Sequence, residues 1–333
     1  MTRLRAAVLG LGVGEQHIHG YRSHPECDVV AVCDFADDKL AMARERYPEL
    51  RATREANEIL DDPGIDVVSV ATYDNFHRDQ IVRAIERGKH VFVEKPVCLS
   101  VAEAEDVRAA LKAHPGVRLS SNLILRRSPR FLELREQIQA GEYGRLYYLE
   151  GDYNYGRLHK ITEGWRGRLD FYSVVYGGAI HIVDLLLWLS GERVTEVTAF
   201  GNAIASGGKF RFADLVASLL RFESGLVAKV TANFGCVYPH FHSLAVYGTR
   251  ATFVNGLDRA LRYDTRDPEQ PPRAITTPYP GVAKGDLLYS FIEGIRRGTD
   301  PLVTEEDVFR TMSVCFAIEQ ATHERCAVPV RYL

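Results

Sequence analysis

The sequence predicts an α/β protein of two domains: a doubly wound parallel sheet over residues 1–121, then over 122–333 an α/β domain built on a large, open, mainly antiparallel sheet. Three observations predict it. Through the first third of the chain, short and nearly continuous apolar runs alternate with amphipathic stretches, the pattern of parallel strands buried on both faces and of their crossover helices. A glycine-crowded turn, "GLGVGEQ", follows the first of these runs. From residue 146 onward the segments have strand length and strand-type residues and follow one another directly, as in an antiparallel meander.

A chain of 333 residues is long for one core and divides naturally into two. Hydrophobic residues make up 46% and charged residues 26%, the balance of a folded globular protein. The formal net charge of −3, without a basic stripe interleaved with aromatics, gives no case for a nucleic-acid partner. No apolar run is long enough for a membrane span, and "MTRLRAAVLGLG" enters a strand rather than a signal-peptide pattern, so a cytoplasmic protein is expected. Six scattered cysteines form no CxxC pair, and His17 and His19 have no further ligands at matching spacing; neither disulfides nor a metal is expected.

Taken in order, "RAAVLG" is the first strand, and the turn after it carries Gly10, Leu11, Gly12, Val13 and Gly14. Glycines here let the backbone approach a pyrophosphate, and the helix that follows offers unpaired N–H groups to the anion. The match to GxGxxG is irregular, because Glu15 takes the third place and the glycine comes one position early, at Gly14. The second strand, "DVVAVCD", ends in Asp34, 24 residues after Gly10 and close to the interval at which a carboxylate meets ribose hydroxyls and repels a 2′-phosphate. With Phe35 rather than a basic residue next, NAD is expected ahead of NADP; the alternative role for Asp34 is as a cap of the following helix. A third strand, "DVVSVAT", reaches Thr72 and the turn "YDNFH", and a helix follows over "RDQIVRAIERG". Then "HVFVEKPVCLS" runs from a strand into Glu94, Lys95 and Pro96, and Ser100 with Glu103 forms a capping box for the next helix. Lys95 therefore ends a strand of a βαβ unit, on the same sheet edge as Gly12, Asp34 and Thr72, where open α/β sheets bind ligands.

At this point the sequence resembles the glucose-fructose oxidoreductase and inositol dehydrogenase family, known as Gfo/Idh/MocA, along nearly its whole length. The resemblance is carried by the glycine turn, "ATYDNFH", "EKP", "SNLILRRSP", the pair Trp165–Arg166, "GGAIHIVD" and "SFIEGIRRGTDPLVTEEDV". It implies a Rossmann domain, a second domain with a large open sheet, NAD as cofactor, and assembly into dimers or tetramers. Thr72, Asn75, His77, Glu94, Lys95, Asn122, Trp165 and Arg166 join the turn residues, Asp34 and Phe35 as candidate cofactor contacts. It also implies hydride transfer between nicotinamide and a sugar or cyclitol carbon, with Lys95 and His181 as catalytic residues handling the hydroxyl proton.

The second half reads as sheet without the resemblance. "RLYYLEGDYNY", "VTEVTAFGNA", "RFADLVASLLRF", "GLVAKVTANF" and "FHSLAVYG" are its strands, bracketed by helices at residues 179–190, at "GDLLYSFIEGIRRG" and after Thr304. The Pro-rich "RDPEQPPRAITTPYPG" reads as a surface excursion, and an open sheet with an apolar outer face calls for a homo-oligomer. The aromatic-rich segment 151–176 offers Tyr153, Tyr155 and Tyr176 as substrate contacts beside Lys95 and His181, with Trp165 and Tyr172 as further lining. One departure matters: relatives often place an aspartate four residues before the histidine, and here that residue is Gly177. The expected activity is an NAD-dependent dehydrogenase acting on a sugar-like small molecule. The alternatives are a redox-neutral enzyme, such as an epimerase, lyase or glycosidase, that keeps its NAD, and a non-catalytic dinucleotide-binding regulator.

Overall fold

Parallel strands need crossovers, and the first part of the chain supplies them in a computed structural model that describes residues 2–333. Six strands form one parallel sheet: β1 (Leu4–Leu9), β2 (Cys27–Cys33), β3 (Arg51–Thr53), β4 (Val67–Val70), β5 (His90–Val93) and β6 (Leu119–Ser121). Their order is β3-β2-β1-β4-β5-β6, which puts the reversal of strand order between β1 and β4. Every central strand is buried because helices cover both faces: α1 (Glu15–Arg22), α2 (Asp37–Arg46), α3 (Ala56–Leu60), α4 (His77–Glu86) and α5 (Val101–Ala113). The capping box at α5 forms as expected: Ser100 accepts the Glu103 amide at 3.2 Å, and the Glu103 carboxylate reaches back to the Leu99 amide at 2.7 Å.

The compact units interleave along the chain. Residues 2–124, 282–309 and Leu333 make one, and residues 125–281 and 310–332 the other. The sequence reading instead runs its second domain unbroken from 122 to 333. The physical reason is the return of a late segment to the first sheet. Ser120 bonds the Val303 carbonyl at 2.8 Å, His24 meets Glu293 at 2.9 Å, and helix Asp286–Arg297 brings Phe291 to 5.8 Å from Phe92.

The second unit holds nine strands. These are β7 (Leu146–Asn154), β8 (Val194–Asn202), β9 (Leu215–Phe222), β10 (Val227–Asn233), β11 (Phe241–Gly248), β12 (Thr252–Asn255), β13 (Ala260–Tyr263), β14 (Arg273–Ile275) and β15 (Val328–Pro329). Their order is β14-β13-β12-β11-β7-β10-β9-β8-β15. All pairs are antiparallel except one, so the simple meander needs correction: β7 slots between β10 and β11 and runs parallel to β10. The Pro-rich excursion also differs from its sequence reading. It contributes edge strand β14, and its Tyr279 turns back to pack on Phe131, Phe241 and His242.

Helix Pro129–Gln139 and helix Ile180–Ser190 belong to this unit, and the latter lies against the inner face of β7, where Gly151 leaves room for Ile182. Arg126 is buried with Asp184 of that helix, its Nε and Nη2 donating at 2.6–3.1 Å, and Thr311 donates to the same carboxylate at 3.2 Å. The outer face is mixed rather than apolar. Tyr148, Tyr247 and Leu219 share it with Glu150, Asp152 and Lys229, which pair with one another.

Candidate functional site

In the first unit the candidate residues gather at the carboxyl ends of the strands. Gly10 follows β1, Asp34 follows β2, Thr72 follows β4, Glu94 and Lys95 follow β5, and Asn122 follows β6. Gly10 has φ +89°, and a Cβ there would lie 2.6 Å from the Ala71 carbonyl carbon, so only glycine makes this turn. Gly14 does the work expected of a third glycine, since a side chain on it would press on Ala71 and Val8 at 2.9 and 3.0 Å. Glu15, freed from that place, pairs with Arg46. Gly12 and Val13 are exposed at the tip of the turn, ahead of a helix whose first residues have no side-chain cap.

Asp34 is buried, and its two oxygens accept the amides of Leu11 at 2.7 Å and Ala36 at 3.0 Å. It thereby ties the glycine turn to the end of β2. Lys39, in the first turn of α2, lies 3.7 Å from this carboxylate and 3.4 Å from the position a Cβ of Gly12 would take. Chain adjacency to Asp34 does not reveal this cation, because the first turn of α2 brings it to the carboxylate. Phe35 is exposed with its ring edge-on to Tyr73 at 5.5 Å, an apolar surface beside the carboxylate. Asn75 is exposed on the turn after Thr72, whose hydroxyl donates to Gln80 at 2.7 Å.

His77 is fully buried, and its ring nitrogens meet the carbonyls of Pro96 at 2.7 Å and Thr72 at 3.2 Å. It clasps the ends of β4 and β5 together, so it positions the Lys95 turn. Glu94 is buried behind Lys95 and receives Asn122 Nδ2 at 2.7 Å and a contact from His17 Nε2 at 3.3 Å; His17 Nδ1 continues to Ser69 at 3.1 Å and Ser69 to the Tyr21 hydroxyl at 2.9 Å. Burial pushes the Glu94 carboxyl up, but the His17 bond and the charges of Lys284, His17 and Lys95 outweigh it and hold the group well below the usual carboxylate range. Asn122 spends its amide on Glu94 and on the Lys284 carbonyl at 2.9 Å, which leaves its buried Oδ1 as an acceptor without a protein donor.

These features fit a dinucleotide: a glycine turn open at Gly12, a helix start behind it, a buried carboxylate at the end of β2 and an orphaned amide oxygen at the end of β6.

The second unit carries a separate constellation. Tyr153, stacked near Tyr155 at 5.8 Å, sits directly across from His242 in the β7–β11 register. His181 lies 6.1 Å from Tyr153 and 6.2 Å from His242, ring to ring. Trp165 and Arg166 lie here, beside Tyr172: the guanidinium rests over the Trp165 ring at 4.5 Å and donates to the Tyr172 hydroxyl at 3.1 Å. Tyr176 is buried against Phe171 and Phe316. Gly177 and Gly178 fall in a π-turn, Val175–Ala179, that leads into the His181 helix. A side chain on Gly177 would run into the Tyr172 hydroxyl, and one on Gly178 into the Tyr153 ring. His240, His242, Tyr279 and Arg157 were missed in the sequence; the alternation "HFH" was the available signal for the first two.

Comparison with known proteins covers the whole chain. Residues 4–122 match the family model described as an oxidoreductase family with an NAD-binding Rossmann fold, and residues 131–254 match a GFO/IDH/MocA C-terminal domain. The myo-inositol 2-dehydrogenase of Thermotoga maritima is 26% identical across 98% of both chains. The NAD(+)-dependent scyllo-inositol 2-dehydrogenase of Bacillus subtilis is 27% identical across 99% of this chain and 96% of its own. A levoglucosan dehydrogenase solved with NADH superposes with a TM-score of 0.88 over 100% of both chains at 20% identity, a likeness of fold.

Proposed function

The chain belongs to the Gfo/Idh/MocA family of NAD-binding oxidoreductases, and from that premise we propose that it moves a hydride between NAD and a hydroxyl-bearing carbon of a sugar, cyclitol or sugar derivative. The observation that carries the reading is the set of strand ends in the first unit, where a glycine turn and Asp34 make a place for a dinucleotide and Lys95 ends β5. Relatives named as inositol, apiose and levoglucosan dehydrogenases support it.

NAD, when bound, supplies the hydride acceptor. The substrate CH–OH becomes C=O, its hydride leaving with the electron pair and its hydroxyl proton passing to a protein base. Asp34 would hold the ribose hydroxyls of the bound dinucleotide, the turn amides would hold its pyrophosphate, and the Asn122 oxygen would accept from it. By the family resemblance Lys95 would take the hydroxyl proton, and His181 is the second candidate for proton handling.

The proposal extends to a homo-oligomer on the outer face of the nine-stranded sheet, supported by exposed Leu219, Val227 and Phe200 on its outward positions. A cytoplasmic location is supported by six unpaired thiols, and among the described residues no helix is long and apolar enough to cross a membrane. The test is incubation with NAD and a panel of sugars, inositols and sugar acids. NADH formation with one of them is the expected result; a pure protein that binds NAD and reduces none of it with any of them overturns the dehydrogenase reading.

A further inference from the structure

At the glycine turn the accessible charged group is a cation, and the carboxylate lies behind it. Both Asp34 oxygens are committed to the backbone, Oδ2 to the Leu11 amide at 2.7 Å and Oδ1 to the Ala36 amide at 3.0 Å, and the side chain is only 4% exposed. Lys39 is 40% exposed, and its ammonium lies 3.7 Å from Asp34 Oδ2. It also lies 3.4 Å from where a Cβ of Gly12 would be, so one cation borders both the carboxylate and the tip of the turn.

Gly12 is the position that matters for a phosphate. The second glycine of such a turn lacks a side chain so that the backbone can come close to the pyrophosphate, and here the room it leaves is bordered by an ammonium. The irregular motif makes that charge useful. Glu15 takes the third place and puts a carboxylate on the first turn of α1, where it offsets the positive end of the helix. Neighbouring charges pair among themselves, Glu15 with Arg46 and Asp37 with Arg54. The Lys39–Asp34 pair is looser, at a distance beyond hydrogen bonding, so the ammonium keeps its donors for a ligand.

We infer that Lys39 is a cofactor-binding residue whose ammonium, steadied by Asp34, receives the pyrophosphate of the dinucleotide over Gly12. The inference rests on the reading of the strand ends as a dinucleotide site. An ammonium is a compact cation with three donors on a flexible stem, which suits phosphate oxygens and adds a full charge to the turn amides. Asp34 thereby gains a second task, holding a cation for the phosphate as well as meeting the ribose. A 2′-phosphate offers the same chemistry; the 3.4 Å approach to the Gly12 position favours the pyrophosphate, because that glycine is the one the pyrophosphate crosses.

The test uses the whole protein and measures binding by titration calorimetry with NADH, NADPH and ADP-ribose, which keeps the pyrophosphate and lacks the nicotinamide. Lys39→Gln, at an accessible position, should weaken NADH and ADP-ribose alike by about tenfold or more, the size of one charge-assisted hydrogen bond. It should also flatten the fall in affinity as salt rises. Lys39→Arg, which keeps the charge, should retain most of both affinities. A loss confined to NADPH assigns the ammonium to a 2′-phosphate and overturns the pyrophosphate assignment. A loss that Lys39→Arg shares in full shows that the charge is not what binds, and overturns the inference. If the parent binds NADH and ADP-ribose and Lys39→Gln changes neither, this inference falls and the dinucleotide reading stands; a parent that binds neither takes both down.

Discussion

The hydroxyl of Tyr172 occupies the space in which a side chain on Gly177 would have to begin, and Arg166 holds it there at 3.1 Å. A phenol gripped by a guanidinium thus stands where the family resemblance leads one to expect a carboxylate. Restoring the acid is therefore not a neutral reversion. Gly177→Asp should displace Tyr172, destabilise the protein by about 1–3 kcal/mol as overpacked cores do, and lower activity rather than raise it. Thermal melts of Gly177→Asp, Gly177→Ala and Tyr172→Phe decide the point: an aspartate variant as stable as the parent would show that the turn yields.

For the cofactor, Asp34 fixes the expected preference. NAD should bind at least tenfold more tightly than NADP, a difference of about 1.4 kcal/mol, and Asp34→Ser should narrow the gap. Lys39 works against the carboxylate at 3.7 Å, so Lys39→Ala should widen it. Titration with both dinucleotides measures each shift, and equal affinities in the unmodified protein would count against the assignment.

Lys95→Ala should retain NAD binding and lose turnover by about two to four orders of magnitude, the usual share of a proton-transfer group. Retention of most of kcat would show the lysine to be structural. Equilibrium binding and steady-state kinetics on the same preparation separate the two.

His181 and Lys95 can be told apart by pH. If the imidazole orients the hydroxyl and the lysine exchanges the proton, His181→Asn loses less activity than His181→Ala, and kcat/KM shows one ionisation, belonging to Lys95. An ionisation between about pH 6 and 7 that survives Lys95→Ala and vanishes only in a His181 variant would reverse the roles.

Glu94 gives a linkage prediction. Its pKa is depressed in the folded protein, so it stabilises above the unfolded value of about 4.3, and that stability is lost as pH falls below it. Glu94→Gln should melt lower than the parent near neutrality, with the difference shrinking under acid. A constant difference across pH 3–7 would refute the charge-based account and leave only packing.

Much of the first unit was legible because its signals are local. Apolar runs, a glycine turn and a carboxylate at a strand end all lie within a few residues of one another, and Gly14 could be recognised as an early third glycine. Lys39 escaped because a helical turn, not chain adjacency, brings it to Asp34. In the second unit the strands were legible and their order was not. The pairing of β7 with β11 joins residues far apart in sequence, so the meeting of Tyr153 with His242 has no local signature. Tyr279 was hidden for the opposite reason: prolines around it read as loop, yet its hydroxyl is tied to His242.

The interleaving of the units bears on how the protein is made. Synthesis runs from the amino terminus, so the six-stranded sheet emerges from the ribosome before helix Asp286–Arg297 has been translated, and all of residues 125–281 must be made in between. Until that helix arrives, Phe92 lacks Phe291 and His24 lacks Glu293. A nascent or truncated chain ending at residue 124 keeps the glycine turn and Asp34 yet exposes apolar surface where the late helix should lie. Such a fragment is a ready client for chaperones and a poor surrogate for the nucleotide-binding unit.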